Sequence, residues 1–204
     1  MSFTNKMQEQ GGKPSGNFGP IIGKFMNISH GDIHKWGLQN CSIQEDFVCL
    51  DIGCGGGNGV KAIAKKATNG KTIGLDHSLE MVNLAKKLNK SAIAHGLVDI
   101  QLGNVSTLPY VNNHFDFITA FETIQFWPSI EEDLREVKRV LKSSGTLIII
   151  NRYPPEGSKW AEFLKLITDT DYKQKLESSG FELVSIDKES KKGWILVIAK
   201  INSG

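Results

Sequence analysis

Short apolar runs alternate with amphipathic segments between residues 47 and 150. The apolar runs predict strands at 47–52, 71–75, 98–102, 115–120 and 146–150, since short apolar runs between turn signals are typical of buried strands. The segments between them repeat apolar residues every three or four positions, which predicts helices over 60–67, 78–95 and 130–141. This alternation predicts an α/β fold built on a doubly wound, mostly parallel sheet.

The pattern changes at both ends of the chain. Beyond residue 150, helices are predicted over 158–167 and 171–179, followed by strands at 181–186 and 194–201. The link between these strands is short and rich in turn residues, so they should form an antiparallel hairpin that completes a seven-stranded sheet. Residues 1–17 are a polar, glycine-rich leader, and residues 21–38 predict two short amphipathic helices separated near Gly31. We therefore predict a leader and helical cap or lid over residues 1–40 and the main domain over residues 41–204.

Composition narrows the classes of function. The 204 residues include 24 basic and 22 acidic side chains, a near-balance that argues against a dedicated nucleic-acid-binding protein. The lysines fall in small groups, such as Lys61, Lys65 and Lys66, which are typical of solvated helix faces. The three cysteines lack the short spacing of zinc sites and the clustering of iron–sulfur sites. Neither a signal peptide nor a bilayer-spanning apolar run is found, so a reduced, cytoplasmic protein is expected.

The residues that point to chemistry begin at the first predicted strand. A strand, a glycine-dense turn and the start of a helix follow one another in Val48-Cys-Leu-Asp-Ile-Gly-Cys-Gly-Gly-Gly-Asn-Gly-Val60. Glycine lets the backbone adopt positive φ and approach a ligand closely. Asp51 ends the strand and could accept hydrogen bonds from a ligand's ammonium group or orient the loop. Asp76 ends the second strand, where nucleotide-binding sheets hold ribose hydroxyls with a carboxylate; its alternative role is to cap the helix that follows Ser78.

Four segments, in this order, resemble the motifs of class I, Rossmann-like S-adenosylmethionine-dependent methyltransferases of the small stand-alone prokaryotic type. Residues 50–57 look like the first motif of that family, residues 74–78 are similar to its second acidic motif, and residues 103–118 resemble its third and fourth strands. Residues 140–145 resemble the segment before its fifth strand, although Ser-Ser-Gly stands where Pro-Gly-Gly is commoner. The resemblance implies that residues 41–204 are a Rossmann-like methyltransferase domain whose cofactor is S-adenosylmethionine.

The same resemblance implies which residues bind the cofactor. The turn from Gly53 to Gly57 would hold its methionine end, Asp76 would bind its ribose, and Phe121 would border the methyl-transfer site. Asn104 stands where the family often has aspartate, but an amide also hydrogen-bonds the adenine amino edge. With Val105 beside the adenine and Met81 against its ring, the full expected set is Asp51, Gly53, Cys54, Gly55, Gly57, Asp76, His77, Met81, Asn104, Val105 and Phe121.

Two other classes of protein use a glycine-rich turn of this kind. An NAD-dependent oxidoreductase is the first alternative, but Gly53, Gly55 and Asn58 do not complete its G-x-G-x-x-G fingerprint. A cofactor-binding protein that has lost its chemistry is the second.

No motif identifies the methyl acceptor. The Asn/Asp-Pro-Pro-Tyr motif of amino-group methylases is missing after the fourth strand, and the sequence shows neither a basic groove nor an appended recognition domain. We therefore expect a small-molecule acceptor, with a macromolecule (RNA or protein) as the alternative. No membrane partner is expected, a nucleic-acid partner is not favoured, and the protein should be a monomer or homodimer. The catalytic candidates are His30, as a base near neutral pH, and Glu122, which could bind a polar acceptor. His30 and His34 have the i, i+4 spacing of a helical metal pair, but Gly31 interrupts the helix, and no metal site is expected.

Overall fold

The computed structural model describes residues 32–154 and 164–202, which build one seven-stranded sheet with helices on both faces. The strands are β1 (Val48–Ile52), β2 (Lys71–Asp76), β3 (Val98–Leu102), β4 (Phe115–Phe121), β5 (Leu141–Arg152), β6 (Phe181–Glu189) and β7 (Trp194–Ile201). The helices are α1 (32–39), α2 (Asn58–Ala64), α3 (Leu79–Leu88), α4 (Lys90–Ala94), α5 (Ile130–Val140) and α6 (Asp169–Ser178), with a 3₁₀ turn at Ile124–Phe126.

The sheet has the order β3-β2-β1-β4-β5-β7-β6. Strands β1 to β5 pair in parallel, whereas β7 is antiparallel to both β5 and β6. The predicted doubly wound sheet with its closing antiparallel hairpin is therefore confirmed. The strand order reverses between β1 and β4, and ligands of doubly wound sheets bind at the carboxyl ends of the strands at such a point.

Buried apolar side chains cover both faces of the sheet. Leu134 and Val137 project from the predicted apolar stripe of α5 into the larger cluster. On the opposite face, Ile33 of α1 and Ile63 of α2 pack with Ile148 of β5. Complete burial of a side chain of this size contributes about 1.5–3 kcal/mol to folding. The sheet is thus held between two apolar layers that fix the positions of its strand ends.

Helix α1 belongs to this core. Ile33 and Leu38 are fully buried or nearly so, and Gly37 lies so close to the Ile150 side chain that a Cβ at position 37 would collide with it. The remainder of the predicted cap, residues 1–31, lies outside the described residues, so the proposed boundary at residue 40 stays a prediction.

Two predicted helices differ from the structure. The single helix over 78–95 was wrong, because the chain breaks at Asn89 between α3 and α4. The buried Asn89 side chain donates to the carbonyls of Ala85 and Gly57, and such side-chain bonds compete with helical backbone bonds. The predicted helix over 158–167 was wrong for residues 164–167, which run without helical structure into the Thr168 capping box of α6; residues 158–163 lie outside the described residues.

Candidate cofactor-binding site

The glycine-rich loop between β1 and α2 is tied to the end of β2. The backbone N–H groups of Gly53 and Cys54 both donate to the carbonyl of Leu75, at 2.8 and 3.0 Å. Gly53, Gly55 and Gly57 have φ angles of +69°, +51° and +85°, a region that residues with a side chain rarely adopt. The alternating glycines therefore let the loop turn sharply over the carboxyl ends of β1 and β2.

Asp76 joins this loop to the start of α3. One carboxylate oxygen accepts from the backbone N–H of Gly55 at 2.8 Å, and the other accepts from that of Ser78 at 2.9 Å. The side chain is nearly buried, and His77 beside it is exposed with its Nδ1 3.8 Å from the carboxylate. Asp76 thus ties the glycine-rich loop to Ser78, the residue that precedes α3, and its role in binding ribose stays a prediction.

The loop glycines differ in what surrounds them. A Cβ on Gly53 would collide with Thr123, and one on Gly57 would lie 2.6 Å from Asn89 Nδ2 and 2.9 Å from Ala85 Cβ. These two positions require glycine because protein atoms fill the space. In contrast, a Cβ on Gly55 would meet no atom of the described residues within 4 Å. Gly55 therefore presents its backbone to the open side of the loop.

Asp51 lies below the loop, and 1% of it is exposed. Its Oδ1 accepts from the Thr119 hydroxyl at 2.7 Å, and the Val60 backbone N–H also donates to the carboxylate. Burial, together with the nearby Asp76 carboxylate, raises the pKa of Asp51 to about 7, although the hydrogen bonds from Thr119 and Val60 oppose the rise. Asp51 was expected either to bind a ligand's ammonium group or to orient the loop. Its hydrogen bonds to Thr119 and Val60 fit the second role.

Five other residues of the expected set lie around the loop. Cys54 and Val105 are buried and pack in apolar clusters. Met81 is buried in the first turn of α3, and Phe121 is buried at the end of β4. Asn104 is exposed just beyond β3. The structure therefore places the residues expected around an adenine at the ends of β2 and β3.

An ion pair between Glu122 and Arg152 joins the ends of β4 and β5. Glu122 follows β4 with φ of +52°, and its Oε1 lies 2.5 Å from Arg152 Nε at the end of β5. The Glu122 side chain is 7% exposed and that of Arg152 is 43% exposed. Backbone strain of this kind often occurs at functional sites. The Phe121 ring, one residue earlier, lies 4.3 Å from the His34 ring between centroids.

Three residues of this region were not predicted from the sequence: Thr119, Thr123 and Arg152. Thr119 interrupts the apolar run of β4 and pairs in register with Asp51, so an alignment of the two parallel strands would have found it. Arg152 ends the long apolar run of β5 in the same manner as Asp76 ends β2. The contact between Thr123 and Gly53 has no local signal, because it depends on how the chain turns after β4.

Three further expectations concern His30, metal binding and membrane-spanning helices. His30 lies outside the described residues, so its roles as a base and as a partner of His34 stay predictions. Within residues 32–154 and 164–202, no group of three or more His, Cys, Asp or Glu side chains is arranged to hold a metal ion. Over the same residues, no helix combines the length and apolar character needed to cross a membrane.

Comparisons with known proteins agree with this geometry. Residues 50–149 match a family model described as a methyltransferase domain. A demethylmenaquinone methyltransferase from Lactobacillus johnsonii is 26% identical over 92% of this chain and 91% of its own length. The uncharacterized methyltransferase YcgJ from Bacillus subtilis is 32% identical over 62% of this chain and 49% of its own length. The chain spans about half the length of several of the curated relatives that it matches.

The fold is also found among solved structures. A SAM-dependent methyltransferase from Aquifex aeolicus superposes with a TM-score of 0.75 at 24% sequence identity, over 89% of this chain and 98% of that chain.

Proposed function

We propose that the chain is a class I, Rossmann-like S-adenosylmethionine-dependent methyltransferase, which binds S-adenosylmethionine over the Gly53–Gly57 loop and methylates a small-molecule acceptor; the methyltransferase-domain match over residues 50–149 supports this. The observation that carries the proposal is the backbone at Gly55. Protein atoms crowd Gly53 and Gly57, but the face of Gly55 meets none of the described residues. A positive φ combined with such an open face is what close approach of a ligand to the backbone requires.

The residues around the loop fit the parts of this cofactor. The Asp76 carboxylate accepts one backbone hydrogen bond at each oxygen, and a carboxylate oxygen can accept a second one. Asp76 can therefore hold ribose hydroxyls while it keeps the loop in place. Met81 and Val105 would border the adenine with apolar atoms, and the exposed Asn104 amide would meet its polar edge.

The mechanism requires positioning more than proton transfer. The sulfonium of the bound cofactor supplies an activated methyl group. The buried Phe121 ring and the neighbouring His34 ring form a wall beside the loop that excludes water from one side. Alignment of reactants by such walls can contribute roughly 7–11 kcal/mol to a reaction. Because Glu122 pairs with Arg152, we infer that it would position polar groups at the strand ends rather than serve as a general base.

A small-molecule acceptor is supported by the relatives as well as by the chain. Several curated relatives are named demethylmenaquinone methyltransferases, and that name refers to a small-molecule acceptor. Formal net charge is only +2, which does not favour a nucleic-acid acceptor. Both observations concern the class of the acceptor rather than its identity.

Calorimetry with S-adenosylhomocysteine, the demethylated cofactor, tests the binding part of the proposal. We expect one-to-one binding by the wild type and at least tenfold weaker binding by Gly55→Ala, because the added methyl group occupies the open face of the loop. Gly96→Ala is a matched control: Gly96 also has positive φ, and its Cβ would also meet no described residue within 4 Å. The Gly96→Ala variant has comparable backbone strain outside the glycine-rich loop, so it should bind S-adenosylhomocysteine as the wild type does.

This titration decides whether the loop binds S-adenosylhomocysteine or a different cofactor. Binding of NADH without binding of S-adenosylhomocysteine would reject the proposal, as would equal affinity in Gly55→Ala and the wild type. Incubation of the enzyme with labelled S-adenosylmethionine and a metabolite extract would then identify the acceptor from the labelled product.

A further inference from the structure

A groove of about 420 Å³ lies between α1 and α2, outside the cofactor loop. Its volume falls within the range of small-molecule sites in proteins. Lys35 lines it from α1, and Lys61 and Lys65 line it from α2 and its C-terminal end. None of the residues that line the groove is an aspartate or a glutamate. The groove therefore concentrates positive charge in a chain whose charges are nearly balanced overall.

The tertiary structure creates this concentration of charge. From the sequence, Lys61 and Lys65 belong to a solvated helix face and no basic groove is evident. In the structure, α1 packs beside α2 and brings Lys35 to the opposite wall. Within the part of the chain that the structure describes, none of these three ammonium groups forms an ion pair. Their mutual repulsion would be relieved by a bound anion.

Lys66, the fourth lysine that lines the groove, differs from the other three in its surroundings. Burial raises the pKa of the Cys41 thiol to about 11; Lys66 opposes the rise and Asp187 adds to it, which places both charges near that thiol. Lys66 thus shares its surroundings with a carboxylate. The other three lysines that line the groove are the ones that would bind an anion.

The near end of the groove adjoins the candidate methyl-transfer site. Asn58 lines the groove and directly follows Gly57 of the cofactor loop. His34 also lines the groove, and its ring contacts Phe121. The stretch from Asn58 to Lys65 spans about 10 Å at the helical rise per residue. A small molecule could therefore extend from Phe121 to the lysines.

We propose that the α1–α2 groove binds a phosphate or carboxylate group carried by the small-molecule acceptor. This inference rests on the proposed function, because it assumes that the reacting atom of the acceptor lies at Phe121. It assigns Lys35, Lys61 and Lys65 to recognition of the acceptor's charge and assigns them no part in cofactor binding. The acceptor is accordingly an anionic metabolite.

Inorganic diphosphate is a direct probe of the groove. In calorimetry, we expect the wild type to bind it and the double variant Lys61→Gln, Lys65→Gln to bind it at least tenfold more weakly. The matched control is Lys86→Gln, Lys87→Gln, which removes the same charge from exposed positions of α3 and should bind as the wild type does. No binding by the wild type, or equal binding by all three proteins, would overturn the proposal.

Two further measurements separate this proposal from its alternatives. Lys61→Gln, Lys65→Gln should bind S-adenosylhomocysteine with wild-type affinity and lose at least tenfold in methyl transfer to the labelled product, which should be retained on an anion-exchange resin. A neutral product, or unchanged transfer, would reject the groove but leave the proposed function intact. Failure of the wild type to bind S-adenosylhomocysteine would instead reject the proposed function. The wild type could instead bind single-stranded RNA or phosphatidylglycerol vesicles through these lysines and fail to bind diphosphate. That result would reject the acceptor site and identify the groove as a surface that binds polyanions.

Discussion

Replacement of Asp51 by asparagine should stabilise the protein above neutral pH and leave its stability almost unchanged at low pH. Burial raises the pKa of this carboxyl from its ordinary value of 3.8 to about 7 in the folded protein. The folded state therefore binds the proton more tightly than the unfolded state does. At 1.36 kcal/mol per pKa unit, the rise corresponds to about 4 kcal/mol.

The sign of the effect follows from the two pKa values. Below pH 3.8 the carboxyl is protonated in both states, and its burial carries no charge penalty. Between that pH and about 7, the unfolded state loses its proton first, so the stability of the folded state falls as pH rises. Above about pH 7 the full penalty is present. The side chain of the Asp51→Asn variant would carry no charge at any of these pH values.

The hydrogen bonds around Asp51 allow this substitution. An asparagine carbonyl can accept from the Val60 N–H, and its amide can donate to the Thr119 hydroxyl. The Thr119 hydroxyl already lies 3.4 Å from the carbonyl of Leu50, to which it can donate instead. The variant therefore loses the buried charge and keeps both of these hydrogen bonds, and only the second N–H of its amide gains no partner among them.

Urea denaturation at pH 5 and pH 8 would measure the difference. We expect the free energy of unfolding of Asp51→Asn to exceed that of the wild type by a few kcal/mol at pH 8 and by markedly less at pH 5, where only about a third of the penalty is present. Asp46→Asn is the control, because it removes the same charge from an exposed turn before β1. Equal destabilisation of Asp51→Asn at both pH values would refute the argument, since it would show that the carboxylate contributes favourably to the fold.

The same variant separates the two roles expected for Asp51. If the carboxylate also attracts the ammonium group of the cofactor, Asp51→Asn should bind S-adenosylhomocysteine more weakly at pH 8 than the wild type does. At pH 5 the difference should disappear, because the wild-type carboxyl is then protonated as well. If Asp51→Asn and the wild type bind S-adenosylhomocysteine equally at both pH values, Asp51 serves only to orient the loop.

Two predictions concern the other carboxylates. Asp76→Ala should lower the free energy of unfolding by roughly 3 kcal/mol or more and weaken S-adenosylhomocysteine binding, because two charge-assisted hydrogen bonds are lost; an unchanged urea midpoint would contradict this. Glu122→Gln should retain methyl transfer within about tenfold, because Arg152 holds the carboxylate in an ion pair. A fall of about 10²-fold or more in the single-turnover rate would instead identify Glu122 as a general base.

The sequence alone determined the order and type of most elements. Apolar periodicity is a local property, so it indicated all seven strands and the buried stripe of α5. The sequence also predicted the position of the glycine-rich loop and of Asp76, since glycine density and a carboxylate at a strand end lie within short segments. The closing hairpin followed from the short link between β6 and β7.

Only the tertiary structure decided what those residues contact. Asn89 breaks the helix after β2 because Gly57, thirty-two positions earlier, lies within reach of its amide. Gly55 and Gly57 look alike in the sequence, but α3 packs against one and no described residue covers the other. Lys35 and Lys61 line one groove because α1 packs beside α2. Such pairings depend on long-range packing, which local periodicity does not encode.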